Sequence, residues 1–290
     1  RGRGPHRQLG DRRVTGDASP YAGTTPVASL TRSPAGVTLV DGQAFCLSGR
    51  DCDISEDLPH GVFVLDTRVL SQWTLRLNGH APEPLAVDVT EPYAATFVGR
   101  GHPTEGHADA DLVVFRERAV GWGMRECIEV TNHGLVDDHL RIELDVDVDF
   151  ADLFSVKESR VERRGEHGVE IRPGLMRFTH RDLGRRKVVE VATTDAAVEP
   201  RRLVWDLTLE PGASWRTCVE LSVGVDDEMM APRFRCGIPD AETLPARRLA
   251  SWRATLPVVA TDHRGLATVL DRSGEDLGAL RIFDPEHPEV

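Results

Sequence analysis

The sequence predicts a mainly β fold, in which a large antiparallel β-sandwich is followed by a short helical C-terminal segment. From about residue 34 to 225, apolar and polar residues alternate with a period of two, which is typical of strands with one buried face. Turn dipeptides interrupt the alternation at short intervals, as expected for two sheets that cover each other's apolar faces. After His263 the apolar spacing becomes helical, at Leu266, Val269, Leu270, Leu277 and Leu280.

The first strands are predicted as hairpins around residues that tolerate positive φ. The stretch "GVTLVDGQAFCLSG" reads as two short strands around Asp41-Gly42. The stretch "WTLRLNGHAPEPLAV" repeats this pattern at Asn78-Gly79, and "RRLVWDLTLEPGASWRTCVELSVGV" predicts a third hairpin at Pro211-Gly212. Strand–helix–strand alternation is missing from the sequence, which argues against Rossmann-type and TIM-barrel domains.

The stretch "HLRIELDVDVDF" predicts a strand with one core face and one solvent face, because its apolar residues alternate with charged ones. Asp145, Asp147 and Asp149 would share the solvent face, and an exposed acidic face is more often solvated surface than catalytic site. Further along, "DDEMMAPRFRCGIPDAETLP" predicts an irregular connector. We therefore divide the chain into a disordered leader or foreign segment over 1–33, a β-sandwich domain over 34–228, and a linker with the start of a helical domain over 229–290.

Composition excludes several partners. The net charge of −12 argues against binding to a nucleic-acid backbone, which requires clustered Lys and Arg. Apolar stretches all fall short of the roughly 18–20 residues of a membrane-spanning helix, so no membrane is expected. The five cysteines show no C-x-x-C pair, which predicts reduced, buried thiols in a cytoplasmic protein.

The sequence offers one candidate metal-binding loop and no established cofactor motif. His102, His107, Asp109 and Asp111 lie in a Gly-rich loop, but their spacing matches no established zinc pattern, so a polar loop is favoured and no metal is predicted. The chain carries no P-loop, nucleophile elbow or dinucleotide fingerprint, so no cofactor is predicted.

Aromatic rings pack well on the apolar faces of sugars, so the tryptophans are candidates for sugar stacking. Trp73, Trp205 and Trp215 fall on alternating apolar positions and are predicted in the core. Trp122, between two glycines, is the candidate for sugar stacking.

Three stretches carry a resemblance to a known family. "PHGVFVLDTRVLSQWTLRLNG", "DFADLFSVK" and "VLDRSGEDLGALRI", in this order, resemble the N-terminal domain of bacterial glycogen-debranching-type proteins, the amylo-alpha-1,6-glucosidase relatives. The resemblance covers roughly residues 34–283. It implies an N-terminal β-sandwich before a catalytic (α/α)6 barrel that this chain does not include, and it places the catalytic carboxylates in that barrel.

The resemblance also marks site residues. Asp66, Thr67 and Arg68 match the family's D-T-R signature, and the segment from Asp152 to Phe154 matches its D-L-F signature. We take Asp66, Thr67, Arg68, Asp152 and Phe154 as candidates for an interface or a substrate rim. We further expect Asp66 and Arg68 to form an ion pair at a strand corner that faces the helical domain. In this chain alone, that corner is expected to be exposed to solvent.

The sequence is thus interpreted as a non-catalytic domain of a cytoplasmic debranching-type glycoside hydrolase. This domain would brace the helical barrel and shape one rim of its α-glucan cleft, while the chain alone would be inactive with no catalytic residue of its own. The alternatives are an independent carbohydrate-binding module and a purely structural domain.

Overall fold

The computed structural model describes residues 36–103, 110–226 and 228–283. Strands make up 50% of the described residues and helices 14%, and the sheets are antiparallel, which confirms the prediction of a mainly β fold. The strands are β1 Val37–Asp41, β2 Ala44–Ser48, β3 Gly61–Val64, β4 Thr67–Leu70, β5 Gln72–Leu77, β6 Glu83–Glu91, β7 Ala94–Arg100, β8 Leu112–Val120, β9 Gly123–Asn132, β10 Asp138–Asp147, β11 Glu166–Arg172, β12 Leu175–Asp182, β13 Arg185–Ala192, β14 Ala197–Glu199, β15 Arg202–Leu209, β16 Ser214–Val225 and β17 Glu228–Met229. The helices are α1 Leu153–Lys157, α2 Leu244–Arg253 and α3 Arg264–Ala279, with a 3₁₀ turn at Asp240–Glu242. The predicted leader over 1–33 lies outside the described residues.

The strands form three sheets around one core. A nine-stranded sheet has the order β11-β12-β13-β16-β9-β8-β7-β6, with β17 added beside β16. Two four-stranded sheets have the orders β1-β2-β3-β4 and β14-β15-β10-β5. Buried apolar side chains from all three sheets belong to one continuous cluster, so the sheets cover each other's apolar faces.

Two of the three predicted hairpins are wrong, although their turns are correctly placed. β1 and β2 pair around Asp41-Gly42 as predicted. In contrast, β5 pairs with β10 and β6 pairs with β7, so the turn at Asn78-Gly79 connects two different sheets. The turn at Pro211-Gly212 likewise leads from β15, paired with β10, to β16, paired with β9. Alternation and turn chemistry specify strands and turns, but the partner of each strand depends on distant segments.

The acidic face predicted for β10 is not simply solvated. β10 is flanked by β5 and β15, and Asp147 and Asp149 are buried. Asp147 Oδ2 accepts a hydrogen bond of 2.5 Å from Arg163 Nη2, and Asp145 Oδ1 accepts one of 2.6 Å from Arg202 Nε. The alternating pattern predicted that these carboxylates are exposed to solvent, but arginines from neighbouring segments bind them.

The cysteine prediction is wrong for two of the five residues. Cys218 on β16 forms a disulfide with Cys236 in the segment that leads to the helices. Cys46 and Cys52 are free and buried, as predicted, and Cys127 is free and partly exposed.

The helices pack on each other and against the sheets. Trp252 of α2 lies against α3, where its Nε1 donates a hydrogen bond of 2.7 Å to the Gly274 carbonyl. A Cβ atom at Gly278 would come within 2.3 Å of the Trp252 ring, so glycine permits this close approach. The Ala279 carbonyl accepts a hydrogen bond of 2.6 Å from the Gly42 amide, which attaches the end of α3 to the β1–β2 turn. No helix among the described residues has the length and apolar character needed to cross a membrane.

Candidate functional site

The D-T-R and D-L-F motifs meet at one corner of the molecule, which we call the motif corner. It comprises residues 61–68 and 149–155. The Thr67 backbone forms an isolated antiparallel bridge with Asp152. The Leu153 amide donates to the Asp66 carbonyl at 2.9 Å, and the Arg68 amide donates to the Ala151 carbonyl at 2.8 Å. Two motifs separated by about eighty residues in the sequence thus form one local structure.

The expected pairing of Asp66 with Arg68 is wrong. The Arg68 guanidinium instead binds the Asp149 carboxylate, through Nε at 3.1 Å from Oδ2 and through a second, shorter contact from Nη2 to the same oxygen. Arg68 Nη1 also donates to the His60 carbonyl at 3.1 Å. Asp149 is the first residue of the "DFADLFSVK" stretch that contains the D-L-F motif, so this buried ion pair connects the two motif-bearing segments.

This ion pair is buried within the chain itself. Arg68 is 1% exposed and Asp149 is 6% exposed. Arg68 therefore does not face a partner directly. The expectation that this ion pair is exposed to solvent in this chain is also wrong. Its role is to position the backbone that carries the exposed residues of the corner.

The position of the Arg68 side chain explains why residue 61 of the motif corner is a glycine. Its φ is +155°, and a Cβ atom there would lie 2.6 Å from Arg68 Cδ and 2.9 Å from the Leu70 carbonyl oxygen. Real Cβ atoms do not approach other atoms this closely, so only glycine leaves room for the arginine side chain.

The exposed part of the corner is a strained turn and a helix start. Leu65 and Asp66 form the two-residue β3–β4 connection, and both have left-handed φ angles of 48° and 61°. Such turns favour Asn-Gly, and a leucine at this position is unusual. Leu65 is nevertheless exposed, and so is Phe154 in the first turn of α1, at 69%. Strain held at an exposed position is a feature of functional sites.

Asp152 serves as the N-cap of α1. Its carboxylate accepts hydrogen bonds from the Ser155 hydroxyl at 2.5 Å and from the Ser155 amide at 3.0 Å, and these bonds lower the pKa of Asp152 below its ordinary value. Asp152 and Ser155 also line a surface cavity of about 300 Å³, together with Arg160, Glu162 and Arg164. The cavity is shallow and polar.

One side chain of the corner was not identified from the sequence. Lys187 of β13 donates a hydrogen bond of 3.0 Å from Nζ to the Thr67 hydroxyl. Burial lowers the pKa of Lys187, and nearby Arg185 lowers it further, although Asp152 and Asp182 oppose this change. The sequence signal was weak, because Lys187 lies outside the three stretches that carry the resemblance.

A buried ion cluster in the core was also missed. Glu126 accepts hydrogen bonds from Arg116 Nε at 2.7 Å and from Arg118 Nη2 at 2.6 Å, and all three residues are buried. Burial by itself would raise the pKa of Glu126, but the two arginines outweigh it and lower the pKa. Arg116 also binds Asp53, which connects the loop before β3 to the large sheet. The cluster therefore connects β8, β9 and the loop before β3 inside the protein.

The other predicted candidates lie away from the corner. Trp73 and Trp205 are buried, which confirms their place in the core, and Trp215 packs against it. Trp122 is half-buried, and the Arg233 guanidinium lies 5.0 Å from the centre of its ring. Among the described residues, no group of three or more His, Cys, Asp or Glu side chains could hold a metal ion. His102 lies in the described part, whereas His107 and Asp109 lie outside it.

A second surface of interest is the apolar face of α3, which we call the α3 stripe. Its apolar residues recur at helical spacing and, together with the C-cap residue Leu280, include every position of the predicted set: Leu266, Val269, Leu270, Leu277 and Leu280. All five are exposed, at 47%, 60%, 40%, 62% and 56%. Only Ala279 of α3 is buried. The helix therefore presents its apolar side to solvent, which is the reverse of the usual arrangement.

Solved structures show distant similarity. A protein from the human microbiome, provisionally named kojibiose phosphorylase, matches with a TM-score of 0.45 and 7% identity over 83% of this chain and 35% of that chain. A provisionally named aldose 1-epimerase from Escherichia coli K12 matches with a TM-score of 0.41 and 10% identity over 66% of this chain and 99% of that chain. A polysaccharide lyase matches with a TM-score of 0.30 and 13% identity over 68% of this chain and 33% of that chain.

Sequence comparison gives a more specific result. No curated protein sequence matches the chain at a significant level. A family model described as the N-terminal domain of some glycogen debranching enzymes matches residues 39–220, which include the D-T-R and D-L-F motifs and all of the sheets except the ends of β1 and β16 with β17. The chain therefore belongs to the family of N-terminal domains of glycogen debranching enzymes.

Proposed function

We propose that this chain is a non-catalytic domain that braces the helical catalytic domain of a glycogen debranching-type glycoside hydrolase. The observation that carries the proposal is the α3 stripe, a row of exposed leucine and valine side chains along one face of a 16-residue helix. Contiguous apolar surface of this kind marks an interaction site in soluble proteins. The family supplies the occupant, because an N-terminal domain has the rest of an enzyme as its neighbour.

The position of α3 suits a brace. The end of α3 is attached to the β1–β2 turn, and Arg253 of α2 forms ion pairs with Glu91 of β6 and Glu275 of α3 at 2.6 and 2.7 Å. Phe234 and Leu249 are buried in a small cluster with Tyr93. Because α3 is anchored in this way, a catalytic domain that packs on α3 would be firmly connected to the sheets.

The motif corner is proposed as the substrate rim of the same enzyme. Leu65 and Phe154 are exposed, and the buried Arg68–Asp149 ion pair fixes the backbone segments that carry them. Apolar side chains on a rigid turn suit contact with the apolar face of a glucose ring or with a loop of the catalytic domain. In this proposal the α-glucan, the catalytic carboxylates and the cytoplasmic location belong to the whole enzyme.

The brace is tested by replacing Leu277 with glutamine in this chain and in the full-length enzyme. Glutamine keeps helix propensity and removes only apolar character. In this chain the side chain is exposed, so the free energy of unfolding should change by no more than about 0.5 kcal/mol. In the enzyme, loss of a buried leucine contact should cost about 1.5–3 kcal/mol.

The matched control is Leu135→Gln, in the β9–β10 connection, where the leucine is 94% exposed. It should leave both proteins unchanged. Equal small effects of Leu277→Gln in the two proteins would contradict the brace. Saturable binding of maltooligosaccharides to this chain, lost in Trp122→Ala, would instead favour an independent carbohydrate-binding module.

A further inference from the structure

Three cysteines lie together on the outer face of the nine-stranded sheet. Cys127 on β9 is the register partner of Cys218 on β16, and the two sulfur atoms are 2.8 Å apart. Cys218 is also bonded to Cys236. Cys218 therefore has two sulfur neighbours and is bonded to one of them.

The disulfide fastens the segment between the sheets and the helices. This segment, residues 230–243, which we call the connector, crosses the outer face of the sheet. Asp240 binds Arg125 at 2.5 Å, and the Cys236 amide donates to Glu220 Oε1 at 2.5 Å. Both partners lie on the same strands as Cys127 and Cys218. The Cys218–Cys236 bond is thus the covalent member of a set of contacts that hold the connector to β9 and β16.

We propose that Cys127 exchanges with this disulfide, so that the bond moves from Cys218–Cys236 to Cys127–Cys218 and releases the connector at Cys236. In this step the Cys127 thiol gives its proton to solvent, and the thiolate attacks Cys218 Sγ. The bond to Cys236 breaks, and the Cys236 thiolate leaves and takes up a proton. One disulfide and one thiol are present before and after, so the exchange needs no oxidant or reductant.

The surroundings of Cys127 set the rate of the exchange. Burial raises the pKa of its thiol, although Arg125 and Arg216 oppose this effect, and Glu117 on β8 adds to it. The thiolate is therefore scarce at neutral pH, and exchange should accelerate above the ordinary thiol pKa of about 8.5. Cys127, Cys218 and Cys236 are all partly exposed, so soluble thiols can also reach them.

The test is disulfide mapping of this chain by mass spectrometry. The chain is treated with glutathione disulfide, freed of it, incubated above pH ~8.5, acidified and alkylated. We expect peptides that join Cys127 to Cys218, with alkylated Cys236, to appear beside the Cys218–Cys236 pair. In Cys236→Ser the Cys127–Cys218 bond should be the product of the same oxidation. Trypsin should cleave after Arg235 several-fold faster in that variant than in the parent.

Two variants serve as controls. Cys127→Ser should retain only the Cys218–Cys236 bond at every pH, whereas Cys46→Ser, which alters a buried thiol elsewhere, should exchange like the parent. A parent chain in which Cys218 is bonded to Cys236 alone, or to neither cysteine, overturns the proposal. An unbonded Cys127 in oxidised Cys236→Ser overturns it as well.

Discussion

Replacing Arg68 with alanine is expected to destabilise this chain strongly, because the substitution leaves the Asp149 carboxylate buried without its cation. Arg68 is 1% exposed, and it makes contacts with both Asp149 and the His60 carbonyl. Breaking a buried ion pair by removing one partner costs about 3–5 kcal/mol. The His60 carbonyl also loses a charged donor, which adds about 1–3 kcal/mol if no water replaces it.

The effect should be the same in this chain and in the full-length enzyme, because both partners are covered by the chain's own residues. The measurement is urea unfolding followed by tryptophan fluorescence, with the free energy obtained from the midpoint and slope. Arg172→Ala is the matched control, since Arg172 pairs with Glu170 at 2.7 Å and both side chains are about half exposed. It should cost only about 0–1 kcal/mol.

The double variant Arg68→Met/Asp149→Leu separates the charge effect from the loss of packing. If the cost of Arg68→Ala comes from the stranded carboxylate, replacing both partners with apolar residues should recover a large part of it. A loss in Arg68→Ala no greater than that of Arg172→Ala would refute the reasoning.

Three further outcomes are expected at the motif corner. Gly61→Ala should cost about 1–3 kcal/mol in urea unfolding, because its Cβ would overlap Arg68 and the Leu70 carbonyl; an unchanged midpoint would contradict this. Asp152→Ala should cost about 0.5–2 kcal/mol, whereas Asp152→Asn should keep the helix cap. Because the pKa of Asp152 is lowered in the folded protein, its carboxylate stabilises the fold above about pH 4, and this stabilisation is lost as the pH falls through the folded pKa. The parent should therefore lose more stability on acidification than Asp152→Asn. Phe154→Ser should leave the stability of this chain within about 0.5 kcal/mol, because the ring is exposed, and should raise the KM of the full-length enzyme for α-glucan if the corner is a rim; an unchanged KM would exclude the rim.

The strands and turns were predictable from local sequence, but their partners were not. Gly42 and Gly79 have the positive φ that the turn signals predict. The strand that follows Gly79 nevertheless joins a different sheet from the strand before it. In a sandwich, a turn between sheets and a hairpin turn can use the same residues, and only long-range pairing distinguishes them.

At the motif corner, too, the local features could be predicted from the sequence, whereas the long-range contacts could not. The D-T-R and D-L-F motifs could be found from the resemblance, and the N-cap role of Asp152 follows from local chemistry. The partner of Arg68 could not be found, because Asp149 is 81 residues away and looks like one of three equivalent aspartates on an alternating strand. Of the two buried aspartates, Asp147 pairs with Arg163 and Arg201, which come later in the chain, and Asp149 pairs with Arg68, which comes much earlier.

The α3 stripe was predicted as a helix by its apolar spacing, and that spacing alone suggests a buried face. The structure confirms the helix and leaves its apolar face exposed. This difference is the basis of the proposed brace, because an apolar helix face that stays exposed is typical of an interaction surface.

Hydroxyl-radical footprinting of the α3 stripe tests the proposed brace most directly. Oxidation of Leu266, Leu270 and Leu277 is compared, by mass spectrometry, between this chain and the full-length enzyme, with Leu135 as the internal control. If the stripe contacts the catalytic domain, oxidation of the three α3 leucines should fall several-fold in the enzyme while oxidation of Leu135 stays constant. Equal oxidation of the α3 leucines in the two proteins would contradict the proposal that this helix braces the enzyme.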